Sequence, residues 1–119
     1  MKTHGQEMSQ FHEKRLAKKV GGLPTPASGA FWSRKGDVRS KDLLIEHKWT
    51  GKDRYTIKAE TLEKICTEAV LDGRTPVFAM DVGGRSYVLM EEGDWIDLYE
   101  RSKKLAEILE DPEVQALLP

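Results

Sequence analysis

The chain has 119 residues, 39% hydrophobic and 33% charged, with a net charge of −1; this is the composition of one soluble domain with a modest core, and no apolar run approaches the roughly 18 residues of a membrane span. The opening residues, MKTHGQEMSQFHEK, lack the apolar core of a signal peptide, and the single cysteine, Cys66, excludes an intrachain disulfide; the expectation is a cytoplasmic protein. The total charge conceals a division, because residues 1–58 carry 13 Lys and Arg against 6 Asp and Glu, a balance of +7, while residues 59–119 carry 6 against 14, a balance of −8. Segregation on this scale suggests a basic surface facing a polyanion; chance clustering of solvated charge is the alternative.

Residues 9–20, SQFHEKRLAKKV, predict a helix capped by Ser9, with Phe11, Leu16 and Val20 near one face and Gly21-Gly22 beyond its end. LPTPASGA, rich in proline and small residues, reads as a loop. Residues 36–39 read as a short strand that turns around Ser40-Lys41 into a second strand at 42–49, where three branched aliphatics follow one another. TGKDR is a polar turn, and YTI a further short extended piece. Residues 59–72 give the clearest helix: Leu62, Ile65, Cys66, Ala69 and Val70 form a stripe at helical spacing, with Cys66 read as a small core residue and Gly73 at the C-terminal end. PVFAMDVGGRSYVLM is a hairpin signal, two β-rich runs parted by Gly83-Gly84. A last, peripheral helix is expected at about 97–110, ahead of Pro112. The order helix, hairpin, helix, hairpin, helix predicts an α/β domain with a mixed sheet and helices on its faces.

The chemistry concentrates in GDVRSKDLLIEHK, residues 36–48. Side chains alternate along a strand, so Leu44, Glu46 and Lys48 share one face, and Leu43, Ile45 and His47 the other. Asp37 lies on the strand that the tight turn brings alongside, so two carboxylates and an ammonium converge at one sheet edge. Such carboxylates suit a hard cation, and Mg²⁺ takes one or two of them while keeping several waters. A lysine beside it can orient the attacking water or stabilise charge on a phosphate oxygen. His47 points away and offers at most a backbone carbonyl. Taken alone, Glu-x-Lys is a common same-face pair on exposed strands. His4, His12 and His47 have no metal-ligand spacing, which argues against zinc, and Gly83-Gly84 precedes no helix, which makes it a turn and no phosphate loop. Trp32, amid Arg34, Lys35, Arg39 and Lys41, reads equally as a nucleic-acid contact or as a core or interface residue; Lys52, Arg54 and Lys58 extend the basic stripe. Trp95, with Ile96 and Leu98, covers a sheet edge or meets a partner subunit.

The ordered combination resembles the PD-(D/E)XK nuclease superfamily, and within it the archaeal-type Holliday junction resolvases. It comprises the basic helix FHEKRLAKKV, then PASG, GDV and LLIEHK, and finally YTIKAETLEKI and GRTPVFAMDV. The resemblance covers roughly residues 7–95 and implies a restriction-endonuclease-like fold. It implies one nuclease domain over 1–119, with a core at about 7–95 and a helical extension at about 96–119. Carried over, it makes Asp37 and Glu46 the Mg²⁺ ligands (Mn²⁺ substituting) with the His47 carbonyl, and Lys48 the catalytic lysine. Glu13 matches the acidic residue of the first helix, with Glu7 competing, and Ser28 a serine near the scissile phosphate. Lys14, Arg15, Lys18, Trp32, Arg34, Lys35, Arg39, Lys41, Lys52, Arg54 and Lys58 become the DNA-contacting set. The expected activity is that of a Mg²⁺-dependent endodeoxyribonuclease cutting branched DNA as a homodimer in a bacterial or phage-infected cell, leaving 5′-phosphate and 3′-hydroxyl ends. The alternatives are a restriction, repair or nicking enzyme of the same fold, a non-catalytic DNA-binding module, and a protein-interaction domain whose acidic half binds a basic partner.

Overall fold

A computed structural model describes residues 1–24 and 38–119. Helix α1 spans His4–Lys19 and begins at Thr3, not Ser9. Thr3 Oγ1 accepts from the Gln6 amide at 3.1 Å while the Gln6 side chain accepts from the Thr3 amide at 2.8 Å, a reciprocal cap that satisfies two amides otherwise left open at a helix start. The helix stops where expected, with Gly21 in the left-handed region at φ 67°. Its buried face is carried by Ala17, with Leu16 and Val20 packed partly against the core, whereas Phe11 points outward.

Strands β1 (Leu23–Pro24), β2 (Val38–Arg39) and β3 (Leu43–Trp49) pair antiparallel in that order. β1 falls in the stretch read as loop; Pro24 is tolerated there because the strand is at the sheet edge. Residues 55–57, read as extended, form no strand. Helix α2 (Ala59–Leu71) then returns the chain to β4 (Thr75–Val82), which lies parallel to β3 from Leu43↔Thr75 to Trp49↔Asp81. β5 (Arg85–Leu89) closes antiparallel on β4 through Gly83-Gly84, at φ 59° and 74°, the two left-handed positions that a tight hairpin needs. The result is a five-stranded mixed sheet in the order β1-β2-β3-β4-β5. The expected pair of separate hairpins is corrected to a three-strand meander, a helical crossover and one hairpin.

Each face of the sheet carries its own apolar layer. On the α1 side Val38, Ile45, Val77 and Ala79 close on Ala17. On the α2 side Leu44 and Phe78 are fully buried, with Ile65 and Ala69 of the helix also buried. Val70, included in the predicted stripe, is exposed, and Cys66 is only half-buried. Helix α3 runs Glu92–Glu110, five residues earlier than expected, followed by the short α4 at Pro112–Gln115. None of α3 is buried, as a peripheral helix requires. It leaves the domain as an arm, and the Cα radius of gyration of 17.1 Å exceeds the about 13.5 Å of a compact chain of this length. Among the described residues no helix is long and apolar enough to cross a membrane.

Candidate functional site

β3 pairs with β4 along its whole length and with β2 at Leu44 and Ile45, so the direction of each side chain along it is fixed. Glu46, opposite Phe78, and Lys48, opposite Met80, emerge on the α2 side, beyond the point where Leu44 and Phe78 fill the layer. Lys48 Nζ lies 3.4 Å from Glu46 Oε1, with the two side chains 42% and 24% exposed. Both line an open groove of about 430 Å³ whose other wall is the start of α2 and the segment before it. Glu60, Lys64 and Glu68 enter it from the helix, and Tyr55, Thr56 and Lys58 from the preceding chain. Lys58 belongs to the expected DNA-contacting set; Glu60, Lys64 and Glu68 are not among the expected site residues, although they recur every four residues along the flank of α2 beside the buried Ile65.

On the other face the strand alternation delivers His47 into the interior, as expected, but into a polar cluster that no sequence motif announced. Asp81 of β4 is buried beneath α1 and receives His47 Nε2 on Oδ2 at 2.5 Å and the Ser86 hydroxyl on Oδ1. Arg15 Nε donates to His12 Nδ1 at 3.3 Å and Arg15 Nη2 to Ser86 at 3.2 Å, and the His12 and His47 rings stack at 6.0 Å. Burial pushes the His47 imidazolium pKa down, outweighing the pull of Asp81, so the ring is neutral near pH 7. Burial alone would raise the Asp81 carboxyl; the hydrogen bonds from Ser86 and His47 overcome it and hold the group below its usual value. An ionised Asp81 facing a neutral ring makes His47 Nε2 the donor. The cluster ties α1 to β3, β4 and β5. The one signal for it was an acid inside the apolar run VFAMDV.

Of the remaining predicted residues, Asp37, Ser28, Trp32, Arg34 and Lys35 lie outside the described residues. Glu13 is half-buried on α1, which packs on the opposite face of the sheet from the groove, and its competitor Glu7 is exposed in the first turn. Lys14, Lys18, Lys41, Lys52, Arg54 and Lys58 are exposed. Arg15 is engaged with His12 and Ser86, and Arg39 lies 3.5 Å from Asp72, so both are committed within the fold.

No protein-family model, curated protein or solved structure matches the chain.

Among the described residues no three His, Cys, Asp or Glu side chains gather as a metal cluster. Glu46 therefore offers one carboxylate to a cation, enough for an ion that retains most of its water but short of a protein-built cage. The burial of the Cys66 thiol, reinforced by Glu91, Asp94 and Glu63, raises its pKa and makes it a poor nucleophile.

Proposed function

We propose that the protein is a metal-dependent endodeoxyribonuclease with a PD-(D/E)XK core, acting on branched DNA as a homodimer. The observation that carries this reading is the position of Glu46 and Lys48, 3.4 Å apart on one face of the strand at which the sheet turns from antiparallel to parallel, and opening into a groove walled by the crossover helix. The order of elements, one helix, three antiparallel strands, a helix and a parallel strand, supports the same core.

Asp37 immediately precedes Val38, whose partner Ile45 immediately precedes Glu46, and it shares the parity of Arg39 along the chain. Asp37 and Glu46 would hold Mg²⁺ with the His47 carbonyl, and Mn²⁺ would substitute. When bound, the ion supplies charge neutralisation at the phosphodiester. Lys48 holds the attacking water beside Glu46 and offers its charge to the phosphate oxygen that becomes more anionic during attack. Lys58 and Lys64, at the groove wall, and Lys52 and Arg54, on the loop beside it, position the phosphates flanking the cut without reading bases. The groove is open, which suits an extended polyanion better than an enclosed small molecule.

The test is incubation of the protein with labelled four-way junctions and matched duplexes, with Mg²⁺ or with chelator. Paired nicks placed symmetrically about the branch point, dependent on the metal and carrying 5′-phosphates, are expected. Binding with no cutting in Mg²⁺ or Mn²⁺ would move the protein to the non-catalytic reading, and cutting of linear duplex at one fixed sequence to the restriction-like one.

A further inference from the structure

α3 departs after Met90-Glu91 and continues for 19 residues, a length of about 28 Å at the helical rise, with no residue buried. Its apolar side chains are ordered. Trp95, Leu98, Leu105 and Leu109 repeat with a 3-4 spacing, Ser102 holding the position between them, and Tyr99 and Ala106 widen the stripe. The five large members are each 42–56% exposed. Trp95 and Tyr99 already stack, with ring centroids 5.7 Å apart, a rigid aromatic pair of the kind that anchors interfaces. A contiguous apolar stripe of this length on a projecting helix marks an interaction surface.

We propose that the stripe is covered by α3 of a second copy of this chain, packed antiparallel, so that two arms form a two-helix stalk linking the domains. The inference takes its partner, the second copy, from the proposed function and rests on that reading in this respect alone. Charge selects the occupant and its direction. With Trp95 facing Leu105 of the second copy and Leu98 facing Ser102, the rim residues Asp94 and Arg101 fall opposite one another, twice by symmetry. A parallel pair would set Asp94 beside Tyr99 and Arg101 beside Ala106, with no opposite charges meeting. Antiparallel packing also brings each acidic helix start toward the other helix's C-terminal half, opposing the two macrodipoles. The arrangement is isologous and closes on itself, leaving no free stripe for a third copy.

Sedimentation equilibrium of the full chain at tens of micromolar, without DNA, tests the assembly. Twice the 13.5 kDa monomer mass is expected. Leu98→Glu combined with Leu105→Glu should give the monomer mass with the sheet intact by circular dichroism, because no α3 residue is buried in the domain. Asp94→Arg or Arg101→Asp alone should each weaken the dimer about tenfold, and the two together should restore it. A 13.5 kDa wild-type chain, or a dimer that survives both glutamates, overturns the proposal. A dimer lost with the glutamates but indifferent to the charge exchange overturns the antiparallel pairing. Nicking assays on the same samples keep the questions apart, since an intact dimer that cuts nothing counts against the proposed function only.

Discussion

Glu46 and Lys48 can be tested one charge at a time, because both stand at the groove surface and neither supports the buried layers. Glu46→Gln, Lys48→Ala and Asp37→Asn should each reduce junction cutting by at least about a hundredfold, within the range for loss of a group acting on the reacting phosphate, while DNA binding and thermal unfolding change little. Wild-type cutting by Glu46→Gln in Mg²⁺ would remove the site assignment. The cluster beneath α1 makes the opposite kind of prediction. Asp81→Ala takes from the buried His47 the acceptor of its Nε2, at a cost of about 1–3 kcal/mol read as a lower urea midpoint, whereas the exposed Ser86 hydroxyl turns to water. Its pH signature has one sign. His47 is held below the ordinary imidazole value of 6.5, so the unfolded chain binds the extra proton first and stability falls as pH drops from about 6.5; Asp81, held below the ordinary 3.8, adds a second loss below about pH 4. His12 and Arg15 from α1 and Ser86 from β5 face the same pair and retain these directions. Urea titrations with chelator at pH 7.5 and 5.5 should show the first loss in the wild type and not in His47→Gln. The outward pair was legible in the sequence because period-two alternation needs only the strand to be right. The inward cluster was not, because His12, His47, Asp81 and Ser86 come from four elements and no local spacing encodes their meeting.

Elements were legible in proportion to how local their causes are. The hairpin at Gly83-Gly84 and the stop at Gly21 follow from backbone conformations that few other residues adopt, and the sequence announced both. The start of α1 was equally local, since Thr3 and Gln6 form a capping box that Ser9 obscured; Thr3→Ala should lower stability by about 1 kcal/mol in thermal or urea unfolding. β1 was not legible, because a two-residue strand containing proline exists only where β2 presents an edge to it. The approach there is close. A Cβ on Gly22 would stand 2.6 Å from the Arg39 carbonyl oxygen and 3.1 Å from Ser40 Cα, both backbone atoms that cannot swing aside. Gly22→Ala should therefore cost about 1–3 kcal/mol and loosen the β1–β2 edge, seen as faster amide exchange at Arg39. α3 starts five residues before its expected position, and Glu91 makes no side-chain cap to announce that start. The parallel β3–β4 pair is a non-local outcome; the sequence showed two strands and a helix between them without stating how they would lie.

At the scale of the molecule, apolar surface is distributed otherwise than the sequence suggested. Phe78 of the second hairpin is core, while Tyr87 is about half exposed and α3 exposes Trp95, Ile96, Leu98, Tyr99, Leu105, Ile108 and Leu109. The charge division persists as a basic half that supplies α1, the meander and the loop before α2, and an acidic half that includes the arm. Binding dominated by phosphate contacts should weaken steeply with salt, the logarithm of the association constant falling linearly with that of the salt concentration, by about 0.9 per phosphate neutralised on duplex arms. Selectivity should come from shape, since smooth bending of a linear site costs on the order of 1–6 kcal/mol that a four-way junction avoids. Competition between junction and duplex of one sequence at fixed salt measures it, and equal affinity would leave shape recognition without support.

The crossover through α2 also governs how this protein reaches its fold. β3 and β4 form the centre of the sheet, yet their partners Leu43 and Thr75 are 32 residues apart in sequence, and every other strand attaches to this pair or to a neighbour already on it. The entropy of closing that loop must be met before any of the parallel contacts form, with α2 shortening the path as it coils. The rate-limiting step in refolding should be the docking of α2 across the face of the two strands. In a stopped-flow chevron, Ala69→Gly should slow folding more than it speeds unfolding, whereas removing the Thr3 cap should do the reverse.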